Sequence, residues 1–351
     1  MESRYYKVAD ITFEIAMEEP WRPMAFSSAV AERIRKAAAG EVIDIEPCRA
    51  GDEVPARTFV RSREELAEGC TRYDINLSQY EPFRCEACEN PAFTLTIRCE
   101  EPSWMEQDRE SGKSKLVISV DDTLPRYFIY RNEGRTIFEF EAEEGNIVGK
   151  LCLDEESKTG DFYPKAGRSA AGVLYQINTA AMVMFTHQAA LRRTLLMHSS
   201  VVRHNGMANM FLGASGTGKS THSRLWLGNI EGCDLINDDN PAISIAQDGK
   251  TAYVHGTPWS GKTPCYRNLS VPVRAIVRLQ QAPHNRISPL KGLEAYVCII
   301  SSASSIRWER KVMDGITKTA EAIVGCVKCC SLECLPDADA AVTCMKGIMS
   351  I

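Results

Sequence analysis

The sequence predicts an α+β protein of two domains, a β-rich one over residues 1–168 and a second over residues 169–351 built around a phosphate-binding loop. Three observations carry this. Gly213-Ala214-Ser215-Gly216-Thr217-Gly218-Lys219-Ser220 fits G-x-x-x-x-G-K-[ST] at every fixed position, between an apolar run, Ala208–Leu212, and a helical run, Ser220–Leu227. Residues 1–165 carry short alternating apolar runs broken by turn residues. Between the two, apolar residues at three-and-four spacing from Val173 to Leu196 read as a long amphipathic helix.

Taken in order, Tyr6–Ile15 alternates and reads as a strand, and Val30–Ala39 as a short helix. Phe93–Ile97, Leu116–Val120, Tyr127–Tyr130, Ile137–Phe140 and Ile147–Leu153 are further strands, with Asn132-Glu133-Gly134 and Glu144-Gly145-Asn146 as turns. Glu101–Lys115 and Gly160–Ser169 read as loops. This first domain carries no catalytic motif. It either packs on and serves the second domain or binds substrate. In the second domain Met197–Val202 reads as a strand, and Asn205-Gly206 turns it back into Met210–Leu212. Ala242–Ile245 and Thr251–Val254 form a hairpin, Val271–Leu279 a strand, and Ala303–Ala322 helical turns in which Trp308 and Met313 pack. Asp337 is placed to cap a last helix ending near Met349.

The loop's chemistry explains its spacing. Glycines let successive backbone N–H groups turn inward around phosphate oxygens. Lys219 brings a point charge to the outer phosphates, the Ser220 hydroxyl suits Mg²⁺, and the helix N-terminus adds positive potential. Gly213, Ala214, Ser215, Gly216, Thr217, Gly218, Lys219, Ser220 and Thr221 are therefore the candidate nucleotide-binding residues. A strand-like run, Cys233–Ile236, then delivers Asn237-Asp238-Asp239. Adjacent acids after a buried strand suit one metal ligand and one general base, although Asn-Asp-Asp-Asn-Pro is also turn chemistry. The hairpin at Asn205-Gly206 brings His198 toward the loop, either as a catalytic group or as a packed histidine. Gly256–Asn268, with Lys262 and Arg267, either closes over substrate or is a structural loop with solvated cations.

His198-Ser199-Ser200, Gly213–Thr221 and Asp238-Asp239 together resemble the C-terminal catalytic domain of HPr kinase/phosphorylase, over roughly residues 195–300. The phosphate loop is also similar to that of ATP-dependent phosphoenolpyruvate carboxykinase. The resemblance implies a P-loop fold of that type, with ATP and Mg²⁺ as cofactors. It implies His198, Lys219 and Asp239 as the catalytic group, with Ser220 and Asp238 toward the metal. It also implies phosphorolysis as a reverse reaction, with His198 and Lys262 or Arg267 beside a second anion. Two positions depart from it. Thr221 stands where the family has an acid, and Ala252-Tyr253-Val254-His255-Gly256 lacks the family's metal-binding glutamate.

Composition bounds the partners. With 44% hydrophobic and 25% charged residues, the chain is of ordinary globular make-up. A net charge of −5 and no Lys/Arg-rich block point away from nucleic acid. The N-terminus carries no basic region followed by an apolar run, and no run is long enough to span a membrane, so a cytoplasmic location is expected. Of the 14 cysteines, Cys85 and Cys88 have zinc-like spacing but no matched second pair, and Cys326, Cys329, Cys330 and Cys334 cluster in a strand-like run. Both groups read rather as buried thiols. The expected function is ATP-dependent phosphoryl transfer to a serine hydroxyl of a protein, peptide or free amino acid. A nucleotide-binding regulatory protein and a carboxykinase-like enzyme are the alternatives, and a homo-oligomer stays open.

Overall fold

The computed structural model describes residues 1–26, 28–39, 73–120, 126–143, 145–165, 170–261, 263–304 and 309–350. The chain is mixed α/β, with several sheets and helices. Among the described residues, one compact unit falls within Met1–Ala31 and Ser62–Gln188, and the other within Glu32–Arg61 and Ala189–Ile351.

The elements up to Gln188 begin with β1 (Glu2–Val8), β2 (Ile11–Met17), β3 (Arg22–Pro23), α1 (Ser28–Ala39), β4 (Asp74–Ile75), β5 (Arg84–Cys85) and β6 (Phe93–Ile97). Then come α2 (Trp104–Glu110), β7 (Lys115–Val120), β8 (Arg126–Asn132), β9 (Arg135–Glu143), β10 (Asn146–Leu153), β11 (Thr159–Pro164) and α3 (Ala170–Ala190). Nine strands form one sheet in the order β5-β1-β2-β6-β11-β10-β9-β8-β7, antiparallel except where β6 joins β2 and β11. Its core is aromatic. Phe13 stacks on Phe93 at 4.8 Å, and Phe185 of α3 meets Phe13 edge-on.

Four expectations are corrected here. Tyr6–Ile15 is a hairpin, not one strand, and Ala9 and Asp10 form its turn at φ 49° and 62°. Its pattern already shifts phase, since Val8 and Ile11 both face the core three residues apart. Residues 101–115 include the helix α2, and residues 160–164 belong to the strand β11. The long helix ends at Ala190, and Leu195 of the same apolar series lies in a strand.

The second unit holds β12 (Thr194–Leu196), β13 (Ser199–His204), β14 (Met207–Leu212), α4 (Lys219–Asn229), β15 (Cys233–Asp239), β16 (Ala242–Ile245) and β17 (Ala252–His255). Next are β18 (Ser270–Gln281), β19 (Arg286–Leu290), α5 (Gly292–Ser302), α6 (Arg310–Cys326), β20 (Lys328–Cys334) and α7 (Ala338–Ser350). The sheet order is β12-β16-β17-β18-β14-β13-β15, with β20 also on β18 and β19 on β20. The long β18 pairs with β17 early and with β20 later, and β14, β18 and β20 run parallel. Their carboxyl ends therefore open on one side, where ligands of open α/β sheets bind.

One face of this sheet, including Val202, Phe211, Val277 and Leu332, packs with Trp226 of α4 and Ala341, Cys344 and Ile348 of α7. At about 25 cal/mol per Å² of buried apolar surface, such a face is the main source of the unit's stability. On α7, the Asp337 carboxylate accepts the Ala340 N–H at 2.9 Å, the expected N-cap. The helical turns expected over residues 303–322 fall mostly in α6, while α5 lies before that stretch, where no element was expected. Met313 is half-buried there, and Trp308 lies outside the described residues. Among the described residues, no helix is long and apolar enough to cross a membrane.

Candidate functional site

Strand order builds the site. β13 is antiparallel to both β14 and β15, so Ser199 lies level with Leu212, just before the glycine-rich loop, and with Asp239. His198 is not in the strand, as expected, but in the bend immediately before it. Its backbone N–H donates to the Ser302 carbonyl at 2.7 Å, which holds the bend. The loop leaves β14 at Gly213 and runs straight into α4. Gly216 and Gly218 take φ 79° and 104°, a region costly for residues with a Cβ, and a Cβ at Gly216 would meet nothing within 4 Å. Backbone geometry, not crowding, therefore demands glycine there.

Three side chains meet in line. Lys219 Nζ lies 2.9 Å from His198 Nε2, and His198 Nδ1 lies 3.0 Å from Asp239 Oδ1. Lys219 also donates to the carbonyls of Gly213 at 2.9 Å and Ala214 at 3.2 Å. Asp239 Oδ2 accepts from Asn240 Nδ2 at 2.9 Å. Lys219 is 8% exposed, and burial lowers its pKa while Asp239 and then Asp238 pull it back up. The His198 and Asp239 side chains are 42% and 36% exposed, so a second molecule can reach them.

Asp239 sits at φ 134°, a strain on the order of 1–3 kcal/mol that surrounding structure has to hold. The chain after β17 holds it. Ser260 bridges to Asp239, and the Asp238 carbonyl accepts from the Gly261 N–H at 2.6 Å and the Ser260 hydroxyl at 3.1 Å. Asn237 Nδ2 lies within 3.3–3.4 Å of the Thr257 hydroxyl, the Thr257 carbonyl and the Trp259 carbonyl. Further back, the carbonyls of Ile236 and Leu235 accept from the Cys265 thiol and Arg267 Nη1. Gly256 makes the close pass possible, since a Cβ there would lie 1.9 Å from the Arg267 carbonyl oxygen.

Beside the loop opens a cavity of about 620 Å³, lined by Gly216–Gly218, Thr221, His222, Leu225, Leu279 and Cys334 among others. That is within the roughly 300–1,000 Å³ of small-molecule sites. Its far wall is made by the ends of β18 and β20. His222 is buried, and burial lowers its pKa to about 4, so it is neutral at pH 7. Its Nε2 accepts the Trp226 indole N–H at 3.1 Å.

The structure thus brings His198, Lys219 and Asp239 together. Asp238, Ser220 and Thr221 are sequence neighbours of that group. Asp238 is buried, and its charge reaches Lys219. Arg267 is elsewhere. It is 4% exposed and pairs with Asp234 at 2.8 Å, at the opposite end of β15 from Asp239. Lys262 lies outside the described residues. His255, where the resemblance lacks a metal ligand, has its ring nitrogens 2.8 Å and 2.7 Å from the hydroxyls of Ser244 and Ser270. Sequence reasoning missed the bond from Asn240 to Asp239, and it singled out the Gly256–Asn268 loop without showing that Thr257–Gly261 clamp the end of β15. Among the described residues, no three His, Cys, Asp or Glu side chains converge to hold a metal, and the cysteines are free thiols.

A protein-family model described as SynChlorMet cassette protein ScmC matches residues 168–324, less than half of the chain. The matched stretch contains His198, the glycine-rich loop, Asp239 and the clamp, and begins after the last strand of the sheet formed by β1, β2 and β5–β11. No curated protein matches the chain.

Proposed function

We propose that this protein is an ATP-dependent phosphotransferase acting on a hydroxyl acceptor, and that residues 169–351 carry a P-loop kinase-like domain of the HPr kinase/phosphorylase type. The observation that carries the reading is the line Lys219–His198–Asp239 at the mouth of a glycine-rich loop that runs into a helix N-terminus. The adjacent cavity supports it, since its apolar wall at Leu225 and Leu279 suits a base and sugar while the loop end suits phosphates.

In this reading Gly213–Thr221 bind the phosphates, and Lys219 stabilises charge on the transferred group. The Asp239–His198 pair takes the acceptor's proton. The acceptor is a serine hydroxyl of a protein, a peptide or the free amino acid. Ser220 and Asp238 form an all-oxygen donor set of the kind Mg²⁺ prefers, and they are the residues that would hold it. Bound there, the ion would neutralise phosphate charge. The cytoplasm is the matching location for an enzyme that uses ATP and carries free thiols.

The test is a purified full-length chain with γ-labelled ATP and Mg²⁺, screened against free serine, serine peptides and cell extract. Label appearing on an acceptor supports the reading. Tight ATP binding without transfer to any acceptor replaces it with the nucleotide-binding regulatory protein, and no ATP binding overturns both.

A further inference from the structure

An ammonium group has three N–H donors and no acceptor. All three of Lys219's have partners inside the protein: the Gly213 carbonyl, the Ala214 carbonyl and His198 Nε2. Since the ammonium can only donate, His198 Nε2 is the accepting nitrogen. The ring is then neutral, with its proton on Nδ1, donated to Asp239 Oδ1 at 3.0 Å. The tautomer is assigned by these partners.

This arrangement ties up two functions at once. Lys219 has no donor left for an incoming anion, and His198 has no lone pair left for a proton. Asp239 is also engaged at both oxygens, by His198 and by Asn240. The side chain of His198 is nonetheless accessible, and among the described residues Lys219 is the one partner on Nε2.

We infer that the Lys219–His198 hydrogen bond is a lock, and that phosphate entering the glycine-rich loop opens it. One Lys219 donor moves from His198 Nε2 to a phosphate oxygen, an acceptor of full negative charge that competes well with a neutral nitrogen. The freed Nε2 is then the atom that takes the acceptor's proton, and Asp239 steadies the imidazolium that forms, as an orienting carboxylate does in a hydrolase triad. In the balanced step the acceptor O–H breaks and an N–H forms on His198. The acceptor oxygen bonds the γ-phosphorus, and the bond from that phosphorus to its bridging oxygen breaks, leaving ADP with the electron pair. His198 is thus the catalytic base, Asp239 its positioning carboxylate, and nucleotide must bind before acceptor. The inference rests on the phosphotransferase reading.

The test is nitrogen NMR of the histidine rings in the full-length chain, with His198→Gln to assign the signal. It is run with and without Mg²⁺ and a non-hydrolysable ATP analogue whose binding calorimetry reports separately. Without nucleotide, His198 is expected as a single Nδ1–H tautomer whose Nε2 resonance is displaced by the ammonium. With analogue, Nε2 moves to the position of an unbonded acceptor while Nδ1–H stays. Lys219→Met gives that unbonded signal with no nucleotide present, and the wild-type titration decides the matter even if the variant does not fold. Analogue binding that leaves Nε2 unmoved overturns the lock and leaves the nucleotide reading standing. No binding by calorimetry overturns the functional reading, and the lock with it.

Discussion

β15 carries an acid–cation cluster at each end, and the two differ. At its start, Asp234 is bound by Arg203 Nε at 2.9 Å and by Arg267 Nη1 at 2.8 Å, with a second, shorter contact from Arg203 Nη2. Burial alone would raise the Asp234 pKa, but the hydrogen bonds from Arg203 and Arg267 outweigh it and hold the carboxyl low. At its end, Asp239 has a strained backbone, a half-buried side chain and the His198 imidazole as its partner. The first cluster is a closed pair of opposite charges, with guanidinium forks on a carboxylate. The second is held in place from behind and is somewhat more open in front, with the acid's side chain 36% exposed against 27% for Asp234. The two ends of one strand thus differ less in access than in partners, with two guanidinium groups on Asp234 and one imidazole on Asp239.

The widest break in that comparison comes from the open end. Lys219→Met should lower ATP-dependent transfer on the order of 10³-fold while leaving the melting curve little changed, checked by turnover and calorimetry on one sample. Asp239→Asn should cost roughly 10²–10⁴-fold in transfer with ATP affinity retained. If ATP affinity falls as far as transfer does, Asp239 belongs to the nucleotide site instead.

The closed end should respond in stability. Asp234→Asn leaves Arg267 buried beside a neutral group and should cost about 3 kcal/mol in urea unfolding, with transfer per folded molecule unchanged. The contribution has a defined pH range. Asp234's folded pKa is lowered, so its stabilisation is present above the unfolded carboxyl value near 3.9 and is lost as pH falls through the folded value.

His222 belongs to neither end and serves as a control. Its folded pKa is about 4, against roughly 6.5 unfolded, so the unfolded chain binds its proton first. Stability should fall by up to about 3 kcal/mol as pH drops from 6.5 to 4, and His222→Gln should flatten that slope in melting experiments. The smallest effect is expected at Asn240. Asn240→Ala frees one Asp239 oxygen and should slow transfer on the order of tenfold without changing ATP affinity, read from kcat and binding separately.

Much of this site was legible because it is local. The glycine-rich motif, its flanking strand and helix, and the Asn205-Gly206 turn at φ 51° and 71° are all short-range signals. They place His198 near the loop without any knowledge of the fold. What stayed hidden depends on pairings distant in sequence. Arg267 looked available because its partner, Asp234, lies 33 residues earlier on a strand whose neighbours the pattern does not name. The end of α3 was hidden for another reason. Leu191 and Leu195 keep the helical spacing, yet the chain turns at Arg193 with φ 54° and starts a strand. In the first unit β11 carries too few apolar residues to read as a strand, and its pairing with β6 and β10 makes it one.

The clamp along β15 also governs how another molecule can approach. A strand at the border of a sheet ordinarily offers its carbonyls and amides as a template for an added strand. On β15 the carbonyls of Leu235, Ile236 and Asp238 already accept from Arg267, Cys265, Ser260 and Gly261. Among the described residues these carbonyls are already taken, so on the proposed reading a peptide acceptor would come end-on, over the carboxyl tips of the strands, presenting a side chain or a terminus rather than a length of backbone.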